Sequence, residues 1–360
     1  NVETQATEKQ KITADTFLNG KVEEVSKSFL LPSYEHQEFF VMADEKEHRN
    51  TLSPDKPLKN TYNNVKLVSF NSHYFALVLA NRASDIFPTA TEELTANQIG
   101  NLDLKYDPAE PVEGKVFNFD FYFGPKNMQI LKSIAAEYKS IVNYGFFSFI
   151  GRPLLWLLKL LQSGVHNWGI AIICLTLILR MALVPMNLYS FKAMAKMQKI
   201  QPLLKEIKEK YKSDPQRVNQ ETMLLMKREK ANPLSGCIPA LGQIPIFFAL
   251  YSVLGQSIEL YKQPFFFWIT DLSLKDPFYV FPVLVGITFF VQQKITPATN
   301  MDPAQQKVMM FMPLLFSAMM LSTPSGLTLY MFVNGLFGIT QQYIFTKNKK
   351  GLTTPAITRK

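Results

Sequence analysis

Along the chain the spacing of apolar positions changes once. Up to about residue 126 apolar and polar residues alternate, and beyond it apolar residues gather into long runs. VKLVSF and HYFALVLA are rich in β-branched and aromatic residues. FNFDFYF sets Phe117, Phe119, Phe121 and Phe123 on one face and Asn118, Asp120 and Tyr122 on the other. A period of two predicts half-buried antiparallel strands. Upstream, ADEKEHRN and SPDKP read as turns between short strands, so residues 1–126 are expected to form a β-rich domain. After Gly124-Pro125 the period becomes helical, with Met128, Leu131, Ala135 and Tyr138 on one side of a connecting helix within 127–145. In 146–165, Arg152 and Lys159 share a face, Pro153 suits a first turn, and Phe, Leu and Trp156 fill the remainder. The segment is long enough to span, but its charged face favours a helix lying in the membrane plane.

Residues 166–188, HNWGIAIICLTLILRMALVPMNL, match the ~20 apolar residues a bilayer-spanning helix needs, and Arg180 lies inside the run. A guanidinium there costs about 2.5 to 3.5 kcal/mol, so the arginine faces water or a partner within the protein, or else snorkels toward the end of the helix. Thr176 and Asn187 extend a polar stripe from it. Residues 189–232 hold 11 Lys+Arg against 5 Asp+Glu. Ile200, Leu203, Ile207 and Tyr211, then Val218, Thr222 and Leu225, recur near a 3.5 period, and Asp214-Pro215 reads as an N-cap and first turn. The pattern predicts a cytoplasmic helical hairpin. Within 233–346 four more apolar runs follow at 237–260, 277–291, 308–321 and 326–345, before a basic tail at 347–360. The middle two are short, and read either as a re-entrant pair or as spans where the bilayer is thin.

Charge orders these elements. Residues 1–150 hold 15 Lys+Arg against 20 Asp+Glu, and residues 151–360 hold 23 against 9. The positives fall in the hairpin, at Lys294 and Lys307, and in the tail at Lys347, Lys349, Lys350, Arg359 and Lys360. By the positive-inside rule these regions are cytoplasmic, which gives five spans with the acidic domain outside. A domain translocated ahead of five spans requires an upstream signal or anchor, so one is expected to precede Asn1. The basic excess therefore marks loops at a membrane surface, not a sequence-specific nucleic-acid surface.

Chemistry is sparse. Cys174 and Cys237 make neither a disulfide framework nor a zinc spacing, and His36, His48 and His73 stand apart in the β-rich half. His166 is the one histidine beyond them, no two aspartates lie in spans, and HExxH is absent, which sets aside an intramembrane protease. No metal or other cofactor is expected. The spans carry Gln243, Gln256, Asn334 and Gln341 but no Asp or Glu beside Arg180. These polar residues either line a shared wet groove or make ordinary bonds between helices. An unpaired cation in such a groove points to a counter-charge that arrives with a substrate, and hence to a device that moves polypeptide into the bilayer. An ion-conducting channel or small-molecule transporter is the alternative; internal repeats and paired carboxylates, its usual marks, are not seen.

The arginine-bearing run, AKMQKIQPLLKEIKEKYKSDPQRVNQETMLLMKREKANPLSGCIPALGQIPIFFALY, FFFWITDLSLKDPFY, DPAQQKVMMFMP and PSGLTLY resemble the YidC membrane protein insertases over about residues 145–348. The β-rich half resembles, less specifically, the C-terminal part of their periplasmic β-sandwich. The resemblance implies a multi-pass α-helical membrane protein of the bacterial inner membrane: a five-span insertase core with a cytoplasmic helical hairpin, and a partial periplasmic all-β sandwich-like domain. It also implies that a signal-anchor span precedes residue 1. It implies no enzyme activity, but a hydrophilic groove with Arg180, Thr176, Gln243, Tyr330 and Asn334, and an apolar slide with Phe247, Val285, Met319 and Met331. Met331 stands where relatives often carry an aromatic residue. The hairpin, through Lys205, Lys208, Lys212, Arg217, Lys227 and Arg228, would dock a ribosome, the signal recognition particle or its receptor. Nascent membrane proteins, the Sec translocon and membrane lipids complete the implied partners.

Overall fold

A computed structural model describes residues 12–14, 20–21, 37–82, 87–94, 99–106, 119–231, 238–295 and 303–350. Expectations for His36, Phe117, Asn118, Cys237, Arg359 and Lys360 lie outside the described residues, as do those for the side chains of Lys307, Lys349 and Lys350. The chain divides into two compact units, residues 1–144 with 256–259, and residues 145–255 with 260–360.

The first unit holds two antiparallel sheets. Strands β1 (Ile12–Ala14), β2 (Gly20–Lys21), β5 (Leu58–Tyr62), β8 (Thr89–Leu94) and β9 (Ile99–Tyr106) form one, in the order β1-β9-β8-β5 with β2 also on β9. Strands β3 (Glu38–Ala43), β4 (Lys46–Thr51), β6 (Val65–Asn71), β7 (Phe75–Asn81) and β10 (Phe119–Pro125) form the other, in the order β10-β7-β6-β3-β4. The β3–β4 turn at Asp44-Glu45 takes positive φ at both residues, the conformation that matches strand twist in a two-residue hairpin. Phe39, Val41 and Val68 of one sheet pack with Ala90, Leu102 and Leu104 of the other in a single core, so the unit is a β-sandwich.

Within FNFDFYF the described part, from Phe119 on, forms the expected antiparallel strand, and Phe121 opposite Leu79 lies on the face that Val68 and Val41 extend into the core. That face is nevertheless exposed at this edge: Phe119, Phe121 and Phe123 are 37%, 59% and 72% accessible. Alternation fixes which residues share a face, but β10 is the last strand of its sheet, where cover from the facing sheet ends. The expected connecting helix is two pieces, α1 (Met128–Ile134) and a 3₁₀ turn Ala136–Ile141, which bury Leu131, Tyr138 and Ile141.

The second unit is helical: α2 (Ser148–Val165), α3 (Trp168–Ala182), α4 (Val184–Lys210), α5 (Pro215–Arg228), α6 (Ile238–Gln256), α7 (Val280–Ile295), α8 (Pro303–Met320) and α9 (Ser325–Lys350). Pro153 lies inside α2 and not in its first turn, because the helix starts five residues before it. The run 166–188 is not one helix. It breaks at Leu183, and α3 and α4 meet at 55°. Pro185, in the first turn of α4, has no N–H to give the Met181 carbonyl and would crowd it, so the helix restarts just upstream. Among the described residues no single helix is long and apolar enough to cross a membrane, and this bent pair passes the test only as a pair.

The hairpin's first arm accordingly begins at Val184, not at residue 189. Asp214 caps α5 as expected, accepting from Arg217 N at 3.0 Å. The arms close on Met197, Ile200, Leu204 and Leu225, with Ile207 and Met226 alongside. Leu204 takes the buried position expected of Leu203, which is 38% exposed. Both leucines satisfy an i, i+3/i+4 ladder from Ile200, and only the packing decides between them.

Candidate functional site

Helix α9 is the spine on which the polar residues assemble. Tyr330, Asn334, Gly338 and Gln341 recur at intervals of four, four and three residues, which places them along one stripe of α9. Each meets a different helix. Gln243 of α6 donates from Nε2 to Tyr330 Oη at 2.5 Å. Arg180 of α3 donates from Nε to Asn334 Oδ1 and from Nη2 to the Asn334 main-chain oxygen at 2.8 Å. Asn187 of α4 donates from Nδ2 to Gln341 Oε1 at 3.1 Å.

Small residues let these partners approach. A Cβ on Gly335 would lie 2.6 Å from Thr288 Oγ1 of α7, and one on Gly338 would lie 2.7 Å from Gln292 Nε2 and 3.6 Å from Arg180 Nη2. Close helix approach through glycine is a usual way of packing apolar helices in lipid. Neither Gly338 nor Gln292 was singled out from the sequence; the Gly335/Gly338 spacing was the available signal.

Arg180 is half-buried, and among the described residues no carboxylate lies within salt-bridge reach of it. A guanidinium carries five N–H donors. The two bonds to Asn334 engage two of them, which leaves three without a partner among the described residues. The arrangement offers a held positive charge with hydrogen-bonding capacity in reserve. Thr176 is fully buried and gives its hydroxyl to Ile172 O, one turn back in its own helix, at 2.7 Å. It is a packing neighbour of the site with no spare donor.

The four apolar positions divide. Phe247 is half-buried in a ring cluster with Phe248, Tyr251 and Phe316, and Met319 is half-buried on α8. Val285 and Met331 are buried among the helices. On α8, Phe311, Met312 and Leu314 add outward apolar surface, all more than half exposed. The unbroken run MMFMPLLF was the signal for that face.

On the hairpin, Lys205, Lys208, Lys212, Arg217, Lys227 and Arg228 are all exposed. Arg217 lies over the Tyr211 ring at 5.0 Å, and Arg228 pairs with Glu229 at 3.1 Å. Between the arms a cleft of about 330 Å³ is lined by Leu203, Ile207, Leu224 and Leu225, with Glu206 and Arg228 among its polar groups.

Comparison with known proteins covers nearly the whole chain. Residues 160–352 match the family model of the 60Kd inner membrane protein, and residues 2–157 match that of the YidC periplasmic domain. The membrane protein insertase YidC of Geobacter sp. (strain M21) is 47% identical over 237 residues, 66% of this chain and 44% of the relative. That of Shewanella loihica is 41% identical over 325 residues, 89% of this chain and 57% of the relative. A solved structure described as an active YidC insertase with its first transmembrane domain resolved aligns at 21% identity and a TM-score of 0.47, over 85% of this chain and 83% of that one. The chain spans about half the length of the curated relatives it matches.

Proposed function

Since the chain belongs to the 60Kd inner membrane protein family, we propose that it works as a membrane protein insertase, non-enzymatic and seated in the bacterial inner membrane, with its sandwich in the periplasm. A nascent segment's hydrophilic outer flank enters a groove that contains Arg180, Gln243, Tyr330 and Asn334, while its apolar part passes into lipid along the face of α8 and the Phe247 cluster. Arg180 carries this reading: a half-buried guanidinium with no described acidic mate and three N–H donors in reserve. Such a charge is poised for an acidic group that arrives and leaves.

Burial of the substrate's apolar span, at about 25 cal/mol per Å², supplies the driving force, and the membrane potential acts on charged flanks. The hairpin's exposed cations and cleft recruit the ribosome or the signal recognition particle and its receptor, and the Sec translocon receives substrates jointly with this core.

The test is insertion of a small single-span substrate with an acidic outer flank into proteoliposomes that hold the full-length protein. Arg180→Ala and Arg180→Glu are expected to slow it in that order of severity, and a photo-crosslinker at position 180 is expected to capture the arrested chain. Parental rates with both variants sink the electrostatic role. Ion flux without crosslinking would mark a channel instead.

A further inference from the structure

We infer that Asn334 is a positioning residue that keeps the Arg180 charge aimed yet uncancelled, and that its amide makes the site select for negatively charged flanks. The inference rests on the reading of Arg180 as a substrate contact. Asn334 is only 5% exposed, and it holds the guanidinium at two points, with Oδ1 on Nε and the main-chain oxygen on Nη2. Two anchors from one residue fix the plane of a flat fork as well as its place. The main-chain oxygen has a lone pair to spare beyond its helical bond, so this second anchor needs no break in α9. A Cβ on Gly338, one turn on, would stand 3.6 Å from Nη2, in ordinary van der Waals contact, so the glycine lets the guanidinium lie close against α9.

The chemical identity of the anchor separates two roles. If it served stability alone, a carboxylate in this position would hold the guanidinium more strongly, because the side-chain hydrogen bond would then also join two opposite charges away from bulk water. It would also create a permanent ion pair of no net charge. An arriving carboxylate would then meet a neutralised guanidinium and a like charge beside it. A side-chain amide gives the geometry without the cancellation. Asn334→Asp therefore splits the two: a stabilising change for a structural anchor, and a loss of function for a site that must present a charge.

The experiment compares Asn334→Asp, Asn334→Ser and Arg180→Ala in the full-length protein in proteoliposomes. Two reporters are used, identical except that the outer flank carries aspartates in one and asparagines in the other, and thermal stability is followed in detergent. Asn334→Asp is expected to lower insertion of the acidic reporter about tenfold more than that of the neutral reporter, and to hold or raise the melting temperature. Asn334→Ser keeps the main-chain anchor and loses the side-chain one, so a smaller drop confined to the acidic reporter is expected; this arm stands even if the aspartate variant does not fold. Asn334→Asp at parental rate on the acidic reporter, or equal losses on both reporters, overturns the inference. If Arg180→Ala is impaired in that same set, the groove reading survives; if Arg180→Ala is also parental, both fall.

Discussion

Glu92 offers the sharpest test of the sandwich. Its side chain is fully buried where the edge strand β4 of one sheet meets β5 and β8 of the other. Oε2 accepts from Asn50 at 2.6 Å, Asn60 at 3.3 Å and Tyr62 at 3.4 Å, whereas Oε1 has no hydrogen-bond partner among the described residues. Burial is the largest influence and pushes the carboxyl above its ordinary range, with the three donors pulling the other way. The same burial, with Glu92 next in importance, raises the Tyr62 phenol, which stays protonated and remains a donor. An acid whose folded pKa exceeds its unfolded one binds more protons in the native state. Its contribution is therefore most favourable below the unfolded pKa near 4.3, falls by about 1.4 kcal/mol per pH unit above it, and levels off past the folded pKa. The charge on the orphan oxygen sets the size, since leaving an ionised group unsatisfied in a buried place costs about 1 to 3 kcal/mol or more beyond leaving a neutral one there.

Glu92→Gln removes the charge and leaves an oxygen to accept from Asn50. It is expected to protect the amides of Leu58–Tyr62 and Thr89–Leu94 at pH 8, the gain over the parent being roughly 5- to 150-fold, and the gain should vanish toward pH 4. Hydrogen exchange followed by mass spectrometry on the intact chain in detergent, corrected for intrinsic rates, reads this directly. A difference independent of pH, or a parent that gains protection as pH rises through the window, refutes the reasoning.

Two further changes probe the helical unit. Gly335→Ala drives a methyl to within 2.6 Å of Thr288 Oγ1 and 2.9 Å of Thr288 Cβ, where the side chain is short and buried, so α7 and α9 must part. A loss of about 1 to 3 kcal/mol is expected in detergent melts, partly recovered by adding Thr288→Gly. Asp276 accepts from Trp268 Nε1 at 3.0 Å, Phe278 N at 3.1 Å and Phe281 N at 2.7 Å, so it ties the aromatic loop to the start of α7. Asp276→Ala is expected to cost about 1 to 2 kcal/mol and to speed exchange at residues 278–281, while Asp276→Asn keeps an oxygen for Trp268 Nε1 and Phe278 N, loses the acceptor of Phe281 N and is expected to fall in between.

What the sequence made legible was local. Asp214-Pro215 announces the start of α5 because a cap and its proline act within one turn. The alternating phenylalanines announce β10 and its face, but not its exposure, which depends on the strand standing at the edge of its sheet. Leu203 and Leu204 are interchangeable until a partner helix selects one. Arg180 stands out as a charge without an acid, yet the asparagine that holds it lies 154 residues away, and no periodicity joins the two. The break at Leu183 was within reach. Hydropathy runs unbroken through Val184, Pro185 and Met186, and the proline should have outweighed it.

That break changes the energetics of the site. Read as one helix over 166–188, the sequence puts Arg180 near the middle, where only water or a partner relieves its charge. In the structure α3 ends at Ala182, so Arg180 stands in the last turn, among carbonyls that no later turn of the same helix satisfies. A cation there gains about 0.3 to 1 kcal/mol, and up to about 2 where partly buried. The hydrogen bonds to Asn334 add about 1.5 to 3 kcal/mol when charge-assisted. Together these offset the roughly 2.5 to 3.5 kcal/mol that the charge costs in an apolar surround. The guanidinium is thus tolerable without a carboxylate among the described residues. At 15 residues α3 extends only about 22 Å, less than the ~30 Å of a hydrocarbon layer, so it does not cross one as a single straight helix.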